Sequence, residues 1–563
     1  MRVLAHRGNR LHAPENTNMA LISAYTAGAD VIEFDVQMTR DGELVVSHDP
    51  TTERLTGDPR PIIETDLADL RKLNVGKTFK PRGAVEFSYR PPGRRRDEIE
   101  RLGPLLDLLP ADAEKLVELK ADSSLTTGRR DDFVRPFVDE LARRRLLDTT
   151  VVYSKDPDNL LLVRQLAPEV RIAAFDWERD DAAQRDLMVG LGADGLVVEV
   201  GSLLDGGGGL TDHAREMERL FEERSLRVGA IVYVRRPRDR GTVQGKGDVF
   251  TREEFETLRH LPFVWSLATD SMLDVEEFVR DYEVVVDEAF AGKEEDRDRF
   301  AFGYAKANRF CHVFQDDGVH VKIAEYEDHR PEPADDVERR FQELEEDLWY
   351  AQKTWPFYSG GGLGLLQGIE GDFRAEVDYT TTRVGQATTL EMAIVNPNPS
   401  AHQPPWKEDG APRLPTSIRM KSIFFDPHGA PPFVGSEHDE DDGYRINSNL
   451  GTDYDNNQWG RPVGNGKALS GRLRLERRGS YFAAYYRNDA IDPGAVPEEA
   501  TTGLATDWVC CGVVRNDSMN PQVFLRCVGK RWRQEREDDP HEYHPIVPVE
   551  FVFKNLKVTR FFD

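Results

Sequence analysis

The stretch VIEFDV, residues 31–36, alternates apolar and acidic side chains. On an extended strand, Ile32, Phe34 and Val36 face one way, whereas Glu33 and Asp35 face the other. In a parallel barrel the apolar face packs on helices, so both carboxylates would point inward. Burying two neighbouring like charges is costly unless a cation lies between them or one is protonated. The stretch therefore predicts a strand with a polar, functional interior.

Seven further strand-like segments lie in the first 280 residues. They are VLA (3–5), KLVELK (115–120), TTVVYS (149–154), VRIAAF (170–175), GLVVEV (195–200), VGAIVYV (228–234) and FVWSLAT (263–269). Most are followed by a charged, helical pattern. Eight such units match an α/β fold, the (β/α)8 or TIM barrel, which typically has about 250 residues. A doubly wound open sheet is the competing fold.

The barrel model brings a third carboxylate to the same rim. In KLVELK, Glu118 and Lys120 share a face, so Glu118 joins Glu33 and Asp35 near the carboxyl ends of the strands, where barrel enzymes keep their sites. Carboxylate oxygens suit a hard divalent cation, Mg²⁺ or Ca²⁺. The three acids are candidate metal ligands.

Two histidines and two cations complete the candidate site. His6 ends the first strand, and His48 lies on a loop in GELVVSHDP (42–50) at the same rim. Paired histidines can serve as base and acid at neutral pH, and Arg7 and Lys120 can hold a phosphate. An alternative is a purely structural cluster, in which Arg7 and Lys120 neutralise the acids.

Several motifs together closely resemble the glycerophosphodiester phosphodiesterase family. They are AHRG (5–8), PENT (14–17), GADVIEFDVQMTRDGELVVSHDPTTERLTG (28–57), ELK (118–120) and TD (269–270). The resemblance implies a TIM barrel with a divalent metal that hydrolyses glycerophosphodiesters to glycerol 3-phosphate and an alcohol. It implies an acid/base pair (His6, His48), metal ligands (Glu33, Asp35, Glu118) and phosphate contacts (Arg7, Lys120).

The long polar stretch after His48, about residues 49–105, corresponds to an insertion that this family carries. One departure from the family lies on the seventh strand, where members often have Trp-Thr-x-Asn and this chain reads AIVYV (230–234). This departure concerns the floor of the substrate pocket.

Simpler roles are expected for other motif residues. Asn16 and Thr17 are candidate caps of the first helix, and Asp270 with Ser271 of the last one. Gly8 is expected to let the backbone approach a ligand, and His12 to be a loop residue.

Residues 281–563 follow a different pattern. Strand-like segments (319–326, 372–379, 471–476, 480–486, 522–528 and 549–558) are separated by Gly, Pro, Asn and Asp clusters, and one amphipathic helix is predicted over 337–348. This pattern is typical of an all-β sandwich or jelly roll. The hairpin 471–488, WVCCGVV (508–514) and the closing strand weakly resemble a concanavalin-like jelly roll.

This second domain, residues 281–563, could bind a carbohydrate or another partner, or be structural. Its candidate sugar-stacking residues are Trp406, Trp459, Trp508 and Trp532. Calcium loops at 452–457 and 437–443 are less favoured than solvated acidic loops.

Composition limits the partners. The net charge is −27, which disfavours nucleic acid and anionic membranes, and no apolar run is long enough to span a bilayer. No signal peptide is recognised, and four cysteines without metal-ligand spacing fit a cytoplasmic location.

The leading function is a metal-dependent phosphodiesterase acting on a small glycerophosphodiester. Two alternatives stay open: the same chemistry on a lysophospholipid or a glycan-linked phosphodiester, and a carbohydrate-binding protein with an inactive barrel.

Overall fold

The structure is a computed structural model of the 563-residue chain. It describes residues 1–81, 97–120, 127–175, 180–234, 248–304, 311–323, 358–381, 388–396, 433–439, 443–449, 457–459, 463, 468–491, 507–532 and 548–562. The described chain divides into two compact units, one up to Asp281 and one from Tyr282 to Phe562.

The first unit alternates strands and helices. Its strands are β1 (Arg2–Ala5), β2 (Val31–Met38), β3 (Leu44–Val46), β4 (Glu100–Arg101), β5 (Glu114–Leu119), β6 (Thr150–Ser154), β7 (Arg171–Ala174), β8 (Gly195–Glu199), β9 (Gly229–Tyr233) and β10 (Val264–Thr269). Its helices are α1 (Asn18–Thr26), α2 (Glu53–Thr56), α3 (Leu67–Leu70), α4 (Leu102–Leu108), α5 (Thr127–Arg143), α6 (Pro157–Leu166), α7 (Asp181–Leu191), α8 (Val200–Leu203), α9 (Asp212–Arg224), α10 (Arg252–Leu258) and α11 (Glu276–Val279). A 3₁₀ helix spans Ile62–Glu64.

Eight parallel strands close into a barrel in the order β1-β10-β9-β8-β7-β6-β5-β2. The ring is closed by β1, which pairs in parallel with both β10 and β2. The predicted (β/α)8 barrel is thereby confirmed, and the doubly wound alternative is wrong because an open sheet would leave β1 or β2 at an edge.

The interior of the barrel is apolar at one level and polar at the next. Val31, Leu116 and Val151, on neighbouring strands, belong to one buried hydrophobic cluster. Two residues further along their strands lie Glu33, Glu118 and Tyr153, which share the same face by the twofold alternation of a strand. The polar layer is therefore nearer the carboxyl ends, as expected for a barrel site.

A short hairpin follows β2. The strand β3, which the sequence analysis did not predict, pairs antiparallel with β2 in the register Val36↔Val46. The Ser47 N–H then donates to the carbonyl of Asp35 at 3.0 Å. Because the chain folds back in this way, His48 returns to the level of the carboxylates on β2.

The segment after His48 has its own small core. Within the described part of 49–105, helices α2 and α3 and the 3₁₀ helix bring Ile62, Leu70, Val75 and Ile99 together against Val45 of β3. The insertion itself, about residues 49–105, stays a prediction.

The second unit is entirely β in its described residues. Its strands are β11 (Asp281–Glu288), β12 (Phe300–Tyr304), β13 (Cys311–Gln315), β14 (Val319–Ile323), β15 (Tyr358–Leu365), β16 (Ile369–Glu370), β17 (Asp372–Thr381), β18 (Thr388–Val395), β19 (Phe433–Asp439), β20 (Gly443–Asn449), β21 (Asn457–Trp459), β22 (Ala468–Arg478), β23 (Tyr481–Ile491), β24 (Val509–Arg515), β25 (Gln522–Trp532) and β26 (Val549–Phe562).

These strands form two antiparallel sheets. One has the order β13-β14-β26-β17-β22-β23-β24, with β11 beside β26, and the other has the order β12-β15-β25-β18-β19-β20-β21, with β16 beside β25. Aromatic contacts join the sheets: the Tyr444 ring stacks on Tyr486 at 3.8 Å, and the Tyr379 and Tyr444 hydroxyls hydrogen-bond. The predicted β-sandwich is confirmed, and its jelly-roll and concanavalin-like character stay predictions.

Some sequence predictions fall elsewhere. The helix over 337–348, Trp406, and residues 440–442 and 452–456 lie outside the described residues, as do the side chains of Trp459 and Trp532. Trp508 is partly buried and contacts the guanidinium groups of Arg474 and Arg487, at 5.6 and 5.9 Å from its ring. Carbohydrate binding by this unit stays a prediction.

In the described part of the chain, no helix combines the length and hydrophobicity that crossing a membrane requires.

Candidate active site

Three buried carboxylates lie together on β2 and β5. Glu33, Asp35 and Glu118 are 0%, 1% and 6% exposed, and the parallel register places Asp35 directly beside Glu118. Like charges in adjacent register positions destabilise a sheet. The fold therefore places two like charges side by side at this point, an arrangement that costs free energy unless a cation compensates it.

Lys120 partly compensates two of the three acids. Its Nζ lies 2.8 Å from Asp35 Oδ1 and 2.6 Å from Glu118 Oε2. Burial disfavours ionisation of Asp35, but the positive charges of Lys120, His48 and Arg7 outweigh that effect and hold its pKa well below the usual range. Asn16 adds a hydrogen bond, donating from Nδ2 to Asp35 Oδ2 at 2.8 Å.

Glu33 has no such cation. Its two oxygens accept hydrogen bonds at 2.8 Å, one from the backbone N–H of Arg7 and the other from the hydroxyl of Tyr153. Among the described residues, no lysine or arginine side chain lies within ion-pair distance of it. Burial, and next the charge of Asp35, raise the pKa of Glu33 well above its usual value. An added cation would relieve this cost.

His6 is held as a neutral imidazole. Its Nδ1 lies 2.9 Å from Asp270 Oδ1, and because a carboxylate only accepts, Nδ1 carries the proton and Nε2 keeps its lone pair. Burial, followed by the charge of Arg7, lowers the pKa of His6 from 6.5 to about 4, although Asp270 opposes the shift. The edge of the ring contacts Tyr233 at 5.2 Å between ring centroids.

His48 has a similar carboxylate partner but a more open setting. Its Nδ1 donates to Asp49 Oδ1 at 2.7 Å, and its side chain is 33% exposed, against 15% for His6. One ligand atom each from Asp35, His48 and Glu118 lie within 4.8 Å of one another. The predicted acid/base residue is therefore beside the carboxylates.

Arg7 contacts two acids through its guanidinium group. Its Nη1 contacts Glu15 Oε1 at 3.1 Å and its Nε lies 3.4 Å from Asp35 Oδ2. The backbone of Arg7 is left-handed, with φ = 57°, an uncommon conformation for a residue other than glycine. This turn presents both its N–H and its guanidinium group to the carboxylates.

The structure thus brings all seven predicted site residues to one end of the barrel, and it revises several minor expectations. Thr17 does cap α1, accepting from the Ala20 N–H. Asp270 is not a helix cap, since α11 begins only at Glu276, and it bonds His6 instead. Gly8 is required by the close approach of α1, because a Cβ there would lie 2.4 Å from the carbonyl of Ala20.

Other residues were missed as members of the site. They are Arg10, Glu15, Asp49, Arg54, Tyr153, Tyr233 and Asp270. Glu15, Asp49 and Asp270 occur in the motifs PENT, SHDP and TD, so a signal was present. Tyr153 and Tyr233 occupy inward positions near the carboxyl ends of predicted strands. His12 is buried and bonds Ser271 Oγ at 2.7 Å, a structural contact.

The first unit is similar in sequence to known phosphodiesterases. Residues 6–216 match the model of the glycerophosphoryl diester phosphodiesterase family. A glycerophosphodiester phosphodiesterase of Caldanaerobacter subterraneus is 31% identical over 172 residues, which cover 30% of this chain and 64% of that protein. One of Bacillus subtilis is 28% identical over 173 residues, covering 30% and 56%.

The first unit is therefore similar to this family over residues 6–216. The chain spans less than two thirds of the length of these curated relatives. Among solved structures, a putative glycerophosphoryl diester phosphodiesterase of Silicibacter pomeroyi is 24% identical, with a TM-score of 0.38, and covers 50% of this chain and 92% of its own. An Oleispira antarctica phosphodiesterase, solved with the product sn-glycerol-3-phosphate, is 17% identical, with a TM-score of 0.37, and covers 50% and 96%.

Proposed function

We propose that the barrel hydrolyses glycerophosphodiesters to glycerol 3-phosphate and an alcohol. The observation that carries this proposal is the set Glu33, Asp35 and Glu118, buried together beside two histidines and two cations, within a unit that matches the model of the phosphodiesterase family. A buried cluster of like charges next to paired proton carriers suits the hydrolysis of an anionic ester.

The donor set fits a hard divalent cation, Mg²⁺ or Ca²⁺. All three acids offer oxygen, and Glu33 is the one whose charge has no lysine or arginine partner in the described residues. We therefore assign the metal to Glu33, Asp35 and Glu118, which leaves His48 for proton transfer. A bound cation would neutralise charge on the phosphate and polarise its P–O bonds.

Arg7 and Lys120 bind the phosphate in this account. Each already lies against Asp35, at 3.4 and 2.8 Å, so both charges converge where a non-bridging phosphate oxygen would lie near the metal ligands. Arginine offers a fork of donors to such oxygens, and lysine a compact charge. Together they hold the diester in line for attack.

His6 acts as the base. It is neutral at pH 7, and its Nδ1–H···Asp270 bond orients the free Nε2. His6 removes a proton from the attacking oxygen, which belongs to water or to the substrate's own vicinal hydroxyl. Attack by the hydroxyl forms a cyclic phosphate as the alcohol leaves, and water then opens the ring to give glycerol 3-phosphate. His48, whose side chain is more exposed than that of His6, donates a proton to the leaving alkoxide.

The substrate panel that tests this proposal contains glycerophosphocholine, other glycerophosphodiesters, a lysophospholipid and bis(p-nitrophenyl) phosphate. The purified chain is expected to release glycerol 3-phosphate from the glycerophosphodiesters. EDTA should abolish this activity, and Mg²⁺ or Ca²⁺ should restore it. No glycerol 3-phosphate from any diester would overturn the activity, and full activity after exhaustive chelation would overturn the metal assignment. Turnover of the lysophospholipid alone would favour the lipid alternative.

A further inference from the structure

Glu15 belongs to the PENT motif, yet the reaction described above gives it no role. Its side chain is buried, with 8% of its surface exposed. Three arginine side chains surround it: Arg7, Arg10 and Arg54. A single surface ion pair needs one arginine, whereas this buried carboxylate is shared by three guanidinium groups.

The contacts differ in strength. Arg54 binds Glu15 with both nitrogens of its fork, at 2.7 Å to Oε1 and 2.9 Å to Oε2. Arg7 Nη1 donates to Oε1 at 3.1 Å, and Arg10 Nη1 lies 3.8 Å from Oε2. Burial disfavours the charge on Glu15, but these arginines outweigh it and hold its pKa well below the usual range. Glu15 is therefore a permanent anion at the centre of the three.

Two of these arginines continue to the histidines. Arg10 Nη2 donates to Asp270 Oδ2 at 2.7 Å, and Asp270 Oδ1 accepts from His6 at 2.9 Å. On the other side, Arg54 Nε donates to Asp49 Oδ2 at 2.5 Å, and Asp49 Oδ1 accepts from His48 at 2.7 Å. Glu15 thus lies in the middle of one chain of alternating charges with a histidine at each end.

We infer that Glu15 is a positioning residue that fixes His6, His48 and Arg7 relative to one another through Arg10 and Arg54. This inference rests on the proposed function for the roles of the two histidines, and it adds a coupling between them. Replacement of Glu15 should therefore displace both imidazole rings. Replacement of Arg10 should displace mainly His6, and replacement of Arg54 mainly His48.

The physical reason is the balance of charge within the chain. Without the carboxylate, the largely buried guanidinium groups of Arg7 and Arg10 would repel each other and the half-exposed group of Arg54, and the three would move apart. Because Asp270 and Asp49 follow their arginines, the imidazoles would turn with them. A misplacement of about 1 Å at a reacting group can cost about 10²-fold in rate.

The first test does not depend on turnover. Imidazole ¹⁵N spectra of the full chain, assigned with His6→Gln and His48→Gln, should show both histidine signals shifted in Glu15→Gln. A matched control is Asp194→Asn, since Asp194 is also a barrel carboxylate that bonds two arginines, Arg164 and Arg227. The control should shift neither signal. A spectrum in which Glu15→Gln leaves either histidine unchanged would overturn the inference.

The second test uses kinetics. Glu15→Gln is expected to lower kcat about 10²-fold with a smaller change in KM, and Glu15→Asp to recover part of the loss. The effects of Arg10→Met and Arg54→Met should be non-additive when Glu15 is present and additive in Glu15→Gln. If Asp194→Asn lowered kcat as much at equal thermal stability, or if the two arginine effects were additive with Glu15 present, Glu15 would be only a structural ion-pair partner.

The hydrolysis of glycerophosphodiesters and the coupling of the histidines by Glu15 are tested by different measurements. An absence of glycerophosphodiester turnover by the unmodified chain would overturn the proposed function, and the spectra would still decide whether Glu15 couples the histidines. Normal turnover with uncoupled histidines would overturn this inference alone.

Discussion

Both units bury charged side chains in their sheets, but in opposite patterns. In the barrel, Asp35 lies in register beside Glu118, acid against acid. In the sandwich, strands β17 and β22 pair Arg374 with Glu476, Glu376 with Arg474 and Asp378 with Arg472, so that each acid faces an arginine. Opposite charges across a sheet stabilise it, and like charges destabilise it.

The contrast shows that burial of charge does not by itself indicate a site. Arg474 and Glu476 are as buried as the barrel acids, yet Arg474 contacts both Glu376, at 3.1 Å, and Glu476. In the sandwich, acids and arginines therefore neutralise one another. The barrel acids leave Glu33 without an ion-pair partner in the described residues, which is where the proposed function places the further cation. We expect substitutions among the barrel acids to alter activity and those among the charged pairs of the sandwich to alter stability.

The largest expected effect concerns the histidines. His6→Ala and His48→Ala should each lower kcat/KM for glycerophosphocholine by about 10² to 10⁴-fold, because each removes one proton-transfer group. The comparison variant in the sandwich is His320→Ala, whose ring contacts Glu550 Oε1 and the carbonyl of Asp316. Its kcat/KM should stay at the unmodified value. Near-normal rates in either barrel variant would remove that histidine from the mechanism.

A second prediction compares Lys120, directly after β5, with Lys115, within β5. Lys120→Met should lower kcat/KM about 10²-fold, since it removes a charge that stabilises the phosphate. Lys115 is on the opposite face of β5, and its Nζ donates to the carbonyls of Pro110 and Ala113, each at 2.6 Å. Lys115→Met should retain activity but lose about 1–3 kcal/mol of unfolding free energy.

Urea unfolding and steady-state kinetics on both lysine variants would check this difference. An equal loss of activity in the two variants would mean that Lys120 acts through general stability rather than at the phosphate.

A smaller effect concerns acid pH. Although burial opposes the shift, hydrogen bonds from His48 and Arg54 lower the pKa of Asp49 from 3.8 to about 2. A lowered carboxyl pKa stabilises the fold above the ordinary value, and this contribution is lost as pH falls from about 4 towards 2. The stability difference between the unmodified chain and Asp49→Asn should therefore shrink over that range in urea titrations. A difference independent of pH would contradict the assigned ion pairs.

The sequence was sufficient for most of the fold. Alternation in segments such as 31–36 and 228–234 predicted the barrel strands, because the twofold period of a strand is strong where one face is buried. The short strand β3 was not predicted, since LVV between polar turns carries too few residues for a period. Its pairing with β2 depends on tertiary contact.

The site was predictable only in part. Glu33, Asp35 and Glu118 lie on strands, where register fixes the direction of their side chains. The other four predicted residues lie within two positions of a strand end. Glu15 lies in a loop, Arg54 in the short helix α2 and Asp270 directly after β10. Their contacts span 39 residues between Arg54 and Glu15 and 264 between His6 and Asp270. The motifs PENT and TD contain Glu15 and Asp270, but spacing in the sequence carries no information on which side chains they contact, so these pairings required the structure.

The comparison of the two charge patterns is tested most directly by Glu118→Gln and Glu376→Gln, measured side by side for kcat/KM and for unfolding free energy. Glu118→Gln should lower kcat/KM by about 10²-fold or more and lose less stability in EDTA than Glu376→Gln, because relief of the repulsion with Asp35 offsets the loss of the ion pair with Lys120. Glu376→Gln should keep kcat/KM and lose about 1–3 kcal/mol of stability, because Arg474 loses a partner. If Glu118→Gln kept its activity, or if Glu376→Gln lost activity at unchanged stability, the acid cluster of the barrel would not be the catalytic centre.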